Sequence, residues 1–411
     1  MNTIGVIGLG KLGLPFALLL SKYNQVIGYD KNSTVVNLLN HKISPYNEPQ
    51  VQDLLINADR FVAVEDATQL RRASIVFIVV PTPSDSNGAF SNKYILAALE
   101  EIGKSCAELK TVVICSTVMP GSTSEILKPA LDKAAGRNIN VMYSPEFIAL
   151  GSIVRDMQQP DMLLIGFDND PAELWNKDLN QVIQIFQMIH TNTNKKPEVC
   201  IMGTKQAELA KIAINTYITM KIAYANTIGS IASRMGIKSD KILNAVGSDG
   251  RIGKKYLKSG PSFGGPCFPR DTVAFARVAR TYNVSDSLAK ATDEINEQRV
   301  NEIVHKILEH EGPYGLVGVS YKENTDVLDC SPTLRVAQSL WDRYQTPVYL
   351  YDPLMSDGMK DHFGEGSMVA DDLIELFNKT KTIFVFAADD NLKTQLLTAK
   401  NNTIINCWGM F

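Results

Sequence analysis

The chain has 411 residues, 45% of them hydrophobic and 21% charged, with a formal net charge of -3. That balance describes a soluble globular protein of two or three domains and supplies no basic field to hold nucleic acid or an anionic membrane. The six cysteines (Cys106, Cys115, Cys200, Cys267, Cys330, Cys407) make no CxxC pair or metal spacing and the five histidines form no ligand cluster, so neither a disulfide framework nor a bound metal is expected.

The N-terminus leads straight into Thr3-Ile4-Gly5-Val6-Ile7, a buried strand, with no basic leader or membrane-length apolar run. A cytoplasmic location with reduced thiols is the expectation. Gly8-Leu9-Gly10-Lys11-Leu12-Gly13 follows, then an apolar helix from about Leu14 to Lys22 and a second strand from Gln25 to Tyr29 that ends at Asp30. A GxGxxG in this setting is a dinucleotide turn. Gly8, Gly10 and Gly13 allow a tight turn and close approach of a pyrophosphate to the helix start, and Asp30 can accept hydrogen bonds from both ribose hydroxyls. An acid here would repel a 2'-phosphate, which favours NAD over NADP.

The strand and helix rhythm then repeats, with strands read at Phe61 to Val64, Ile75 to Val80, Val112 to Ser116 and Val141 to Tyr143. Two end in polar turns, Pro81-Thr82-Pro83 and Ser116-Thr117-Val118-Met119-Pro120-Gly121. In a doubly wound parallel sheet ligands lie beyond the carboxyl ends of the strands, which places Thr82 and Thr117 where cofactor and substrate meet. Ser144-Pro145-Glu146-Phe147 delivers a carboxylate to the same edge.

From about Thr204 to Met235 the pattern predicts one helix, roughly 45 Å long, with Ala207, Ala210, Ile214, Ile218 and Ile222 as its apolar stripe. Lys211 and Asn215, four residues apart, emerge one turn apart on one face and could stabilise an oxyanion. Asp249-Gly250-Arg251-Ile252-Gly253 and the loop Phe263-Gly264-Gly265-Pro266-Cys267-Phe268-Pro269-Arg270-Asp271 come next. A lone cysteine is usually a small buried hydrophobe, but this one sits among residues that fix backbone shape and precedes a charged pair. After helices to about Glu311 the rhythm restarts, with strands at Tyr314 to Val319, Val348 to Tyr351, Thr382 to Phe386 and Thr403 to Asn406. The fold class read here is α/β, with two Rossmann-like doubly wound domains joined by a long central helix. The expected division is an NAD-binding domain at 1–200, a helical dimerisation and catalytic-loop region at 201–300, and a second Rossmann-like domain at 301–411 whose carboxyl-edge crevice is free for another nucleotide.

These motifs, together with Pro45-Tyr46-Asn47-Glu48-Pro49 and GVSYKENTD at 318–326, resemble in order and spacing the UDP-glucose/GDP-mannose dehydrogenase family. The resemblance implies a homodimer or larger homo-oligomer that uses NAD twice to oxidise the C6 alcohol of a nucleotide sugar to a carboxylate. UDP-glucose is the favoured substrate; GDP-mannose, a UDP-N-acetylhexosamine and a turnover-impaired binding homologue stand as alternatives. It also implies residue roles. Cys267 holds the aldehyde as a thiohemiacetal and then a thioester; Thr117 and Asp271 position a water, Lys211 and Asn215 steady an oxyanion, and Glu146 does acid-base work. Cofactor contacts fall to Gly8, Gly10, Leu12, Gly13, Asp30, Thr82 and Thr117. Substrate contacts fall to Glu146, Phe147, Lys211, Asn215, Arg251 (from a neighbouring subunit), Tyr256, Phe263, Gly264, Tyr321 and Lys322. The chain departs from the family pattern at Leu150, where a second glutamate is usual, and at Asp329, where an arginine is usual. It departs again at Asn406-Cys407-Trp408-Gly409, which replaces an Asp-x-Arg-Asn type pattern.

Overall fold

The computed structural model describes residues 3–168, 177–191, 196–355 and 363–410. The chain packs as two compact units, Met1–Lys211 and Ile212–Phe411.

The first unit is built on eight strands: β1 (Thr3–Ile7), β2 (Gln25–Tyr29), β3 (Phe61–Val64), β4 (Ile75–Ile78), β5 (Thr111–Ile114), β6 (Asn140–Tyr143), β7 (Met162–Gly166) and β8 (Glu198–Met202). They lie in the order β3-β2-β1-β4-β5-β6-β7-β8. Every neighbouring pair is parallel except β6 and β7, which meet antiparallel at Tyr143 and Gly166. The sequence reading left β7 and β8 unassigned. Helices α1 (Gly13–Ser21), α2 (Ser33–Asn40), α3 (Val51–Ile56), α4 (Lys93–Ser105), α5 (Lys128–Ala135), α6 (Ile153–Gln158) and α7 (Lys177–Ile189) complete the unit. Residues alternate across the sheet: Ile75 and Phe77 enter one core cluster, Val76 and Ile78 the other. A parallel sheet covered on both faces demands this double burial, and the run Ile75–Ile78 meets it by being apolar throughout.

In the second unit, strands β9 (Tyr314–Val317), β10 (Val348–Tyr351), β11 (Ser367–Val369), β12 (Thr382–Val385) and β13 (Thr403–Asn406) form an all-parallel sheet in the order β11-β10-β9-β12-β13. The helices are α9 (Ser239–Ser248), α10 (Phe268–Thr281), α11 (Ser287–Leu308), α12 (Pro332–Tyr344), α13 (Leu373–Lys379) and α14 (Asp390–Leu396), preceded by α8 (Thr204–Arg234), which starts in the first unit. Both sheets have the order reversal beside their first strand that opens a crevice at the carboxyl edge. On α8 the structure departs from the expected stripe. Ala207 is buried, but Ala210, Ile214, Ile218 and Ile222 are only half-buried, and the inward face carries Glu208, Lys211, Asn215, Thr219 and Asn226. A helix that buries polar groups does so to place them, since each costs free energy unless hydrogen-bonded.

The two units share one turn design. Gly8 N–H donates to Tyr29 O at 2.8 Å and Gly318 N–H to Tyr351 O at 2.9 Å, with φ of 90° and 83°. Asp30 Oδ2 accepts from Leu9 N–H at 2.8 Å, and Asp352 Oδ2 from Val319 N–H at 2.8 Å. They differ at the following helix. A Cβ on Gly13 would lie 1.9 Å from Gly8 O, whereas Thr333 donates its hydroxyl to Gly318 O at 2.5 Å. Gly13→Ala is therefore expected to cost about 2 kcal/mol through overpacking, read as a lower urea midpoint; an unshifted midpoint would show that α1 can move away from the turn.

Candidate functional site

The first unit's crevice begins at the glycine turn. A Cβ built on Gly10 meets nothing within 4 Å, while one on Gly8 would lie 2.4 Å from Val79 O. Open space at Gly10, beside the start of α1, is the cradle a pyrophosphate requires. Leu12 caps α1 with its backbone and packs its side chain on the core. Asp30 is fixed by Leu9 N–H on Oδ2 and by Asn32 N–H at 2.9 Å on Oδ1, so the acid is held ready for ribose hydroxyls. The residues present fit a dinucleotide.

Further along the same edge, side-chain hydroxyls tie the β4 and β5 turns together. Ser116 Oγ accepts from Val80 N–H at 3.0 Å and donates to Val80 O at 2.7 Å. Thr82 Oγ1 donates to Thr117 O at 2.8 Å. The turn after β5 is anchored from α8, where buried Glu208 accepts from Gly121 N–H at 2.6 Å and Thr123 N–H at 2.8 Å. Glu48 does the same for the segment after β6, accepting from Gly151 N–H at 2.8 Å and Ile153 N–H at 2.9 Å. Lys211 Nζ donates to Glu146 O at 2.6 Å and stands 4.4 Å from the Phe147 ring centroid. Glu146 is half-buried by surface exposure, but its carboxyl is surrounded as densely as an interior group, and the latter governs its proton affinity. Burial pushes its pKa up to about 7, against the pull of Lys211.

In the second unit, Cys267 is exposed and caps the N-terminus of α10. Its carbonyl accepts from Asp271 N–H at 2.8 Å. Asp271, buried in the first turn of α10, accepts from Asn215 Nδ2 at 2.6 Å and has Arg270 Nε 3.9 Å from its Oδ1.

The loop leading to Cys267 is held by side chains of α8 and α11. Asn226 accepts from Gly260 N–H at 2.9 Å and donates to Pro261 O at 3.2 Å. Asn296 accepts from Phe263 N–H at 2.7 Å and donates to Phe263 O at 3.0 Å. Buried Arg299 donates to Gly260 O at 2.7 Å and Ser259 Oγ at 2.9 Å, and pairs with Glu302 at 3.1 Å. Burial lowers the Arg299 pKa to about 10, with Glu302 opposing. The glycines then let the loop meet the segment after β9. A Cβ on Gly264 would fall 2.1 Å from Cys330 O, and one on Gly265 2.6 Å from the Tyr321 ring. Gly265 N–H donates to Asp329 O at 2.9 Å. Beside the loop lies a cleft of ≈ 450 Å³ lined by Tyr256, Lys258, Phe263, Gly264, Tyr321 and Lys322 among others.

Three sequence profiles of the UDP-glucose/GDP-mannose dehydrogenase family match the chain: its NAD binding domain over residues 2–190, its central domain over 205–298 and its UDP binding domain over 315–411. UDP-glucose 6-dehydrogenase TuaD of Bacillus subtilis is 31% identical over 366 residues, covering 86% of this chain and 76% of its own. The chain belongs to the UDP-glucose/GDP-mannose dehydrogenase family. UDP-glucose 6-dehydrogenase AglM of Haloferax volcanii is 27% identical over 374 residues, 88% of this chain and 85% of the relative. The solved structure of a UDP-glucose dehydrogenase from Pyrobaculum islandicum superimposes with a TM-score of 0.87 at 26% identity, covering 100% of this chain and 95% of that one. The protein is an NAD-dependent nucleotide-sugar dehydrogenase.

Against that identity, the residues expected to meet substrate separate into groups. Tyr256, Phe263, Gly264, Tyr321 and Lys322 line one cleft of this dehydrogenase. Glu146, Phe147 and Lys211 form a cluster in the first unit, and Asn215 is joined to Asp271 in the second. Arg251 lies outside the cleft lining: its side chain is 89% exposed and pairs with Asp249 at 2.6 Å. Leu150 packs against the apolar core of the first unit, which accounts for an apolar residue there. Asp329 contributes its backbone carbonyl, and the residue is exposed. Sequence reasoning missed Glu208, Asn226, Asn296 and Arg299. Their signal was polar residues at helical spacing: Glu208 precedes Lys211 by three, and Asn296, Arg299 and Glu302 recur every third residue. Among the described residues no cluster of His, Cys, Asp or Glu could hold a metal, and no helix is long and apolar enough to cross a membrane.

Glu146 holds its proton to about pH 7 when folded but only to about 4.5 when unfolded, so the folded state binds more protons across that window and loses stability as pH rises through it. Glu146→Gln should therefore gain stability relative to wild type from pH about 4.5 to about 7 and stay level above; a difference constant with pH would contradict the raised value. Asn296→Ala should lower kcat by roughly tenfold to a hundredfold through a misplaced loop while NAD binding is unchanged. An unaltered kcat would mean that the loop holds its shape without the clamp.

Proposed function

We propose that the protein oxidises the C6 alcohol of UDP-glucose to the carboxylate of UDP-glucuronate, with Cys267 as the covalent nucleophile. The observation that carries this reading is the exposed thiol at the head of α10, next in sequence to Phe268, which lines the same cleft as Lys322 and Gly264. The names of the relatives support UDP-glucose as the sugar nucleotide. Bound NAD supplies the hydride acceptor, twice per sugar. The chain's own groups do the rest. Glu146 stands ready to exchange protons, because its pKa of about 7 lets it act as acid or base at neutral pH, and Lys211 steadies the oxyanion. The Cys267 sulfur adds to the aldehyde carbon, forming a C–S bond and leaving a thiohemiacetal. Oxidation of that carbon gives a thioester. A water oriented by Asp271 then adds to the carbonyl carbon, the C–S bond breaks, and the water's two protons pass to solvent as the thiolate and carboxylate separate. Asn215 orients Asp271 for that step.

We further infer that the chain works in the cytoplasm as a homo-oligomer, with 201–300 serving as catalytic-loop and pairing region. The cysteine pattern, six residues without a CxxC pair, supports the first point. The second is supported by Tyr217, Tyr224 and Ile231, exposed at 54%, 47% and 50% and spaced every seventh residue along α8, the repeat that suits helix pairing.

Incubation with NAD and UDP-glucose, GDP-mannose or a UDP-N-acetylhexosamine is expected to give two NADH per sugar with UDP-glucose. One NADH per sugar would sink the thioester route, and a faster reaction with GDP-mannose would reassign the substrate. Cys267→Ser is expected to bind NAD and UDP-glucose as wild type does while carboxylate formation falls by at least about a thousandfold, the scale of losing a covalent nucleophile.

A further inference from the structure

The cleft of the second unit contains an aromatic residue that none of the assigned roles uses. Trp408 lines it, is 39% exposed, and is locked in place by donation from Nε1 to Phe386 O at 2.8 Å. The ring also dictates Gly260: a Cβ there would lie 2.2 Å from Cε3. Lys258 Nζ stands 5.7 Å from the ring centroid. Lys258, Lys322 and Lys393 face the same cleft against the single acid Glu323 among its lining residues, a balance that suits a diphosphate.

The sugar must reach Cys267, at the end of the loop where Phe268 and Gly264 line the cleft. Trp408 packs at the other end of that loop, on Gly260. We propose that Trp408 is the stacking face for the nucleobase and that Lys258 donates to a carbonyl oxygen of that base, so that this cleft takes uracil or guanine nucleotides and rejects adenine. A ring held by its own N–H loses little conformational freedom when a base lies on it, and the π-face of any base suffices for stacking. Discrimination then falls to the cation: uracil and guanine offer a carbonyl oxygen, adenine offers none. The chain thereby keeps the adenine of NAD, which belongs at the Asp30 turn, out of the sugar-nucleotide cleft. The assignment rests on the proposed function and names the specificity-determining residue of that same site.

The test is a calorimetric and tryptophan-fluorescence titration of the full chain with UDP, GDP, ADP and inorganic pyrophosphate, all in saturating NAD so that the dinucleotide turn is filled. UDP and GDP should bind at least about tenfold more tightly than ADP. Trp408→Ala should weaken UDP by about tenfold or more, the scale of one lost base stack, and leave pyrophosphate unchanged; Trp408→Phe should restore most of the UDP affinity. Lys258→Met should erase the preference for UDP over ADP. Unchanged UDP affinity in Trp408→Ala overturns the assignment, as does equal weakening of UDP and pyrophosphate, which would mark Trp408 as support for the Gly260 loop only. Failure of UDP to bind the wild-type protein at all would instead remove the proposed function, and this inference with it.

Discussion

A buried loop must find partners for its own backbone, and that constraint shapes the second unit of this dehydrogenase. Residues 259–265 lie almost wholly out of solvent, where an unmet N–H or C=O costs the full desolvation of the group. Asn226 and Asn296 each offer one donor and one acceptor in the spacing of a peptide unit, and each takes up both needs of a short stretch of loop. Arg299 adds a third anchor with its planar fork. Asn226 on α8 and the row Asn296, Arg299 and Glu302 on α11 answer this need. The fixed position of Cys267 follows, since it inherits its place from a backbone with no freedom left.

The sheets were legible because they are governed by local rules. β2, β3, β10 and β13 fall where the β-branched runs place them, and the turn after β1 is announced by its glycines and by Asp30. β11 was not legible: Ser367–Val369 is a short edge strand, too brief to show a period. The site was readable only as a set of residue types. Cys267 and Asp271 share the first turn of one helix and could be placed together from spacing, but that Asn215 would spend its amide on Asp271 is a tertiary fact no spacing contains. The same holds for the glycines before Cys267. They fit the loop under Cys330 O and the Tyr321 ring.

The repeated turn explains how one chain can carry two nucleotide sites without confusing them. Both turns begin with a glycine at positive φ and end against an acid that accepts backbone N–H groups. In the first, the close approach of Gly13 to Gly8 O leaves a short, open cradle at Gly10. In the second, Thr333 reaches Gly318 O from fifteen residues away, and the intervening chain, with Tyr321 and Lys322, becomes cleft wall. A longer turn exchanges a dinucleotide cradle for side chains.

The proposed chemistry also asks two carboxylates to behave differently, and their surroundings differ in the needed sense. Glu146 lies where burial outweighs the pull of Lys211, whose ammonium is spent partly on the Glu146 carbonyl and the Phe147 ring. A carboxyl titrating near pH 7 can take a proton from an alcohol and return it. Asp271 accepts from the Asn215 amide in the first turn of α10, an arrangement that fixes the direction of its carboxyl group. A carboxyl group held in this way is a good orienter of water. Exchanging the two environments would leave both carboxyl groups present and the proposed reaction without either a proton shuttle or a fixed orienter of water, which is why the buried partners matter as much as the groups proposed to meet substrate.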